Sequence, residues 1–95
     1  MKVHYFKSHQ RDGIWHYKLL NDRLPPALET VNFLNNRTHI DFSEFDLNSP
    51  GSKIDYDALW EVGERIEASE YEAAYQRATT TDFGLYINGR LQRLA

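Results

Sequence analysis

The dipeptide Asn88-Gly89 stands between two short apolar-rich runs, residues 83–87 and 90–94. A two-residue hairpin loop of type I′ needs positive φ at both central positions, which Asn and Gly adopt at the lowest steric cost. The segment therefore predicts a hairpin, with Phe83 to Ile87 as one strand and Arg90 to Leu94 as its return. Such a hairpin needs a larger sheet to join, because an isolated two-stranded ribbon is barely stable in water.

The N-terminal third supplies such a sheet. Val3, Tyr5 and Lys7 alternate with His4 and Phe6, and Ile14 to Leu20 alternates with Trp15, Tyr17 and Leu19 on one face. Asp12-Gly13 between them is a turn signal, so a second hairpin is expected here. Thr38, Ile40 and Phe42 alternate with His39, Asp41 and Ser43 as a further strand. Between these, Pro25-Pro26 followed by Leu28, Val31 and Leu34 at spacing three predicts a short helix over 26–35, with Asn35-Asn36 as its left-handed stop.

After the loop 48–52, Leu59, Val62, Gly63 and Ile66 define one helical face, and Ser52 with Asp55 resembles a capping box. Continuing that face would bury Glu70, so a break near Ala68-Ser69 is expected, with one continuous helix and a partly exposed Glu70 as the alternative. A second stripe of Tyr71, Ala74, Tyr75 and Ala78 then follows. The expected fold is a single small α+β domain spanning residues 1–95. Its order is β-β-α-β-α-α-β-β, with about five short strands in an antiparallel or mixed sheet and helices packed on one face.

Charge is unevenly spread. Residues 1–40 carry +3, residues 41–72 carry −8 with ten Asp/Glu, and residues 73–95 carry +2. Asymmetry of this kind bears on partners rather than on fold. Asp57, Glu61 and Glu64 recur at i, i+4 and i+7, with Glu67 one step further, so on one continuous helix they would be mutually repelling neighbours. Helped by Asp41, Glu44 and Asp46, that stripe is the expected contact for a protein partner with a basic surface, with Trp60 as an aromatic anchor. The alternative is a single-stranded nucleic-acid binder using Tyr5, Lys7, Trp15, Tyr17 and Lys18 of the basic, aromatic hairpin. An overall pI near 5.7 opposes nucleic acid.

No Cys is present, and the four His follow neither H-x-x-x-H nor H-E-x-x-H spacing, so no metal site is expected. No Gly-rich phosphate loop and no G-x-S-x-G occurs, so neither a cofactor nor catalysis is expected. The first residues lack a secretory pattern and no apolar run approaches bilayer length, which points to a cytoplasmic protein without membrane contact. Size, acidity and the lack of a catalytic motif suit a small stoichiometric inhibitor or adaptor. Phage and mobile elements use many such binders against host enzymes, including anti-defence proteins; the likeness is one of type and rests on no shared motif. A homodimer through an exposed strand edge is a further expectation.

Overall fold

A computed structural model describes residues 3–94. Seven strands and two helices follow one another as β1 (Val3–Gln10), β2 (Gly13–Leu20), β3 (Ala27–Leu34), β4 (Arg37–Glu44), α1 (Pro50–Val62), β5 (Glu64–Arg65), α2 (Ala68–Thr79), β6 (Phe83–Ile87) and β7 (Arg90–Leu94). They form one mixed sheet in the order β5-β1-β2-β3-β4-β6-β7. The first four strands are an antiparallel meander, β6 joins β4 in parallel, and β7 returns antiparallel to β6.

Both expected terminal hairpins form. Gln10 pairs with Gly13 across a two-residue loop, and Ile87 pairs with Arg90 around Asn88 and Gly89, at φ 49° and 80°. The Asn88 side chain also accepts the Glu44 amide at 3.1 Å, and the Asn88 backbone amide donates to the Phe42 carbonyl. The closing turn is thereby tied to the end of β4.

The expected helix over 26–35 is instead β3. Its Leu28, Val31 and Leu34 do not share a helical face; Leu28 and Val31 lie on opposite faces of a central strand, as the ladders to β2 and β4 require. A strand covered on both sides loses the simple alternation that would have identified it. Asn35 and Asn36 do adopt left-handed conformations, at φ 52° and 61°, but as a hairpin turn that pairs Leu34 with Arg37.

The helices occupy opposite faces of the sheet, not one. The front face presents Phe6, Tyr17, Leu19 and Leu28, packed under Leu59, Tyr56 and Trp60 of α1. The back face presents Tyr5, Val31, Ile40 and Leu85, packed under Tyr71, Tyr75 and Ala78 of α2. The cause is the short link between the helices. Gly63 ends α1 by donating its amide to the Leu59 carbonyl at 3.1 Å. Arg65 then pairs with Phe6, and the Ile66 amide donates to the Tyr5 carbonyl at 3.0 Å. The chain thus passes around the β1 edge, covering it, and changes face.

The caps differ from expectation in the same region. Ser49 is the N-cap residue of α1, with Pro50 in its first turn, while the Ser52 hydroxyl accepts the Asp46 amide at 2.9 Å. Glu67 is the N-cap residue of α2, and the break expected near Ala68-Ser69 falls earlier, at residues 63–67. Among the described residues no helix is long and apolar enough to cross a membrane.

Candidate functional site

Front and back faces separate residues that are adjacent in sequence. In β1 and β2, Tyr5, Lys7 and Lys18 point to the back, while Trp15 and Tyr17 point to the front. Tyr5 stacks at a tilt on Tyr71, with ring centroids 5.6 Å apart. Lys7 is bound by Glu70 at 2.8 Å and Glu64 at 3.6 Å. The Glu70 hydrogen bond raises the Lys7 pKa, and the same bond lowers that of Glu70. The five residues named for a nucleic-acid platform therefore do not share a surface.

The acidic stripe is also divided. Asp57 and Glu61 lie on α1, Glu64 on β5, and Glu67 at the N-cap of α2. Asp57 is paired with Lys53 four residues earlier, at 2.6 Å, and Glu64 is met by Lys7. Glu61 and Glu67 have no ion-pair partner among the described residues. Trp60 is half-buried, edge-on to Phe6 at 5.3 Å and to His4 at 4.7 Å, with the Arg65 guanidinium 5.4 Å from its ring centre. Its ring is engaged within the fold rather than presented as an anchor. One continuous acidic helix face, the arrangement on which the spacing argument rested, does not form because α1 stops at Val62.

What α1 does present is a mixed surface. At 100° per residue, Ile54, Ala58 and Val62 form a row, flanked by Glu61 and Asp57 on one side and Asp55 on the other. Ile54 is 66% and Val62 78% exposed. Asp55, like Glu61, has no partner among the described residues.

This row continues into a cleft of about 550 Å³ between α1 and the uncovered part of the front face. Asp55, Ala58 and Val62 line its helical wall; Trp15, Tyr17, Thr30, Asn32 and Asp41 line its strand side. Ladder register explains the floor: Tyr17 opposes Thr30, Thr30 opposes Asp41, and Asn32 lies one step along on the same face. The Asn32 amide nitrogen donates to an Asp41 carboxylate oxygen at 2.6 Å. The Tyr17 and Ser8 hydroxyls share a hydrogen bond of 2.9 Å. Asn32 is only 4% exposed, and its Oδ1 has no hydrogen-bond partner among the described residues. The lining carries two carboxylates and no Lys, Arg or His. Next to Asp41 on the same face, Tyr86 stacks on His39, with centroids 4.8 Å apart.

A larger concavity, about 670 Å³, lies between α2 and the back of the sheet, lined by Lys18, Glu29, Tyr71 and Tyr75 among others. Its central polar groups are already matched. The Tyr71 hydroxyl donates to Glu29 at 2.6 Å, and burial, reinforced by that carboxylate, pushes the phenol pKa well above its ordinary value. Glu29 and Lys18 face each other across the β2–β3 ladder. Nearby, burial holds the His16 imidazole below its usual pKa; the charge of Glu70 opposes this, and Arg77 and Lys7 add to it.

Among the described residues no group of three or more His, Asp or Glu is placed to hold a metal ion. Asn32 carries no local signal as a site residue, because the spacing of Leu28, Val31 and Leu34 around it predicts a helix, and Trp15 and Tyr17 are expected for a nucleic-acid surface instead. The signal that could have found the cleft was the polar set Thr30, Asn32, Asp41 and Ser43 recurring at strand period beside Tyr17. The chain matches no protein-family model, and neither the curated proteins nor the solved structures contain one significantly similar to it.

Proposed function

We propose that this protein is a non-enzymatic binding module, a small stoichiometric inhibitor or adaptor, that docks the outer face of α1 on a basic and partly apolar surface of a protein partner. The observation that carries the reading is the exposed Ile54–Val62 row bordered by the carboxylates of Asp55 and Glu61, which have no ion-pair partner among the described residues. Exposed aliphatic side chains supply area to desolvate, and flanking charges of one sign select a partner of the other and speed its approach. Compared with the stripe expected from spacing, Asp57 and Glu61 remain in the contact, while Glu64 is held by Lys7 and Glu67 lies at the neighbouring helix start.

The test uses an amphipathic peptide carrying leucine and arginine, with an acidic counterpart of the same length, titrated over a salt series. The basic peptide should bind, weaken as salt rises, and lose most of its affinity to Glu61→Lys and to Val62→Asp. Equal binding of the acidic peptide, or indifference to both substitutions, would refute the proposal. Association of two copies along β7, whose five residues are all exposed, is a separate proposal that light scattering decides.

A further inference from the structure

We propose that the cleft beside α1 is a receptor for a single arginine side chain of the partner, with Asp41 and Asn32 as the acceptors of its guanidinium. This rests on the docking reading and names the group that would enter beside the α1 row.

Four features of the cleft converge on that chemistry. Asp41 keeps one carboxylate oxygen outside its bond to Asn32, and Asp55 adds a second negative charge on the opposite wall, with no cation in the lining to offset either. Asn32 is 96% buried, on the cleft face of β3, and its carbonyl oxygen accepts no hydrogen bond from the described residues. A buried acceptor without a donor from its own chain is costly, and a water or a ligand group supplies the missing hydrogen bond; beside two carboxylates, a cationic donor gains most by doing so. Asn32 and Asp41 together offer acceptors on adjacent strands, the pattern that a forked, planar donor matches. Trp15 and Tyr17 stand on the same face beside them, aromatic surfaces of the kind on which a guanidinium stacks.

Competing occupants fit less well. A metal ion would want three or more charged or imidazole ligands, which the described residues do not gather. An anion would meet two carboxylates. An ammonium could satisfy the charge, but as a compact point charge it makes poorer use of separated acceptors and of the aromatic wall.

The experiment titrates the full chain with N-acetyl-arginine amide, its neutral isostere N-acetyl-citrulline amide, and N-acetyl-lysine amide, following the side-chain amide signals of Asn32 by NMR. Arginine should shift the Asn32 signals and bind about tenfold or more tightly than citrulline, with lysine between them. Asp41→Asn, which keeps an acceptor for Asn32, should erase the arginine preference, as should Trp15→Leu in part. Glu72→Lys, on the exposed side of α2 and outside the cleft, should leave it intact. Citrulline binding as well as arginine, or arginine shifting residues elsewhere than the cleft, would overturn the inference. The two proposals fail separately. Loss of peptide binding in Glu61→Lys with no arginine response in wild type leaves docking without the pocket. An Asp41-dependent arginine response with a peptide indifferent to Glu61 leaves the pocket without the docking face.

Discussion

Asn32 gives its side-chain amide nitrogen to Asp41 across 2.6 Å, while the carbonyl end of the same amide meets no donor among the described residues. The pair joins neighbouring central strands on the floor of the cleft, so fold and site share these two side chains. Replacing Asn32 with Asp would set two carboxylates within hydrogen-bond distance. Like charges so close cannot both ionise cheaply, and one would take up a proton. Asn32→Asp should therefore lose about 3 kcal/mol at pH 7. The shared group has a folded pKa above its unfolded value, so the variant should regain stability relative to wild type as pH falls toward 5. Urea unfolding at several pH values measures both.

Tyr71 tests the other face. It is 2% exposed and its hydroxyl donates to the Glu29 carboxylate at 2.6 Å, joining α2 to β3. Tyr71→Phe keeps the ring packed against Tyr5 but removes the donor from a charged acceptor. A loss of about 1.5–3 kcal/mol is expected in chemical denaturation, with peptide binding through α1 unchanged.

His16 makes stability depend on pH. Its folded pKa lies below the usual imidazole value because it is buried, so the unfolded chain takes up a proton first as pH drops. The contribution is complete above the unfolded value near 6.5 and is lost as pH falls through the folded one. Wild type should thus weaken between pH 7 and pH 5, and His16→Gln should flatten that part of the profile. An unchanged slope in the variant would assign the dependence to other groups.

Gly63 sits where α1 gives way to β5. A Cβ built there would collide with the Leu59 carbonyl oxygen and lie 3.0 Å from the Phe6 ring. Phe6 is fully buried and the carbonyl is backbone, so neither gives way easily. Gly63→Ala should destabilise by about 1–3 kcal/mol, and hydrogen exchange at the Ile66 amide, which closes the β1 edge, should speed up.

The residues that announced their structure did so through local chemistry. Asn88-Gly89 and the alternation from Thr38 to Ser43 need no tertiary knowledge, and each forms as expected; Asp12-Gly13 marks a hairpin that also forms, with Arg11-Asp12 as its loop and Gly13 opening β2. Tyr71, Ala74 and Ala78 likewise formed the buried face of α2. β3 was hidden because its two neighbours and two covered faces place apolar side chains at both parities, which mimics helical spacing. The face change between helices was hidden because it depends on residues 63–66 finding the β1 edge, a non-local event. The cleft was partly visible, in Trp15, Tyr17 and Asp41, but its key polar group stands on the misread strand. The acidic stripe failed as a single ridge for a local reason: Gly63 leaves the helix and places Glu64 on β5.

The most direct test of the account follows backbone and side-chain amides by NMR while the leucine- and arginine-containing peptide is added. Perturbations should gather on Asp55, Ala58, Glu61 and Val62 and at the side-chain amide of Asn32, and should fade as salt is raised. Perturbations gathered instead on α2 and the back-face residues Lys18 and Glu29, or none at low salt, would contradict it.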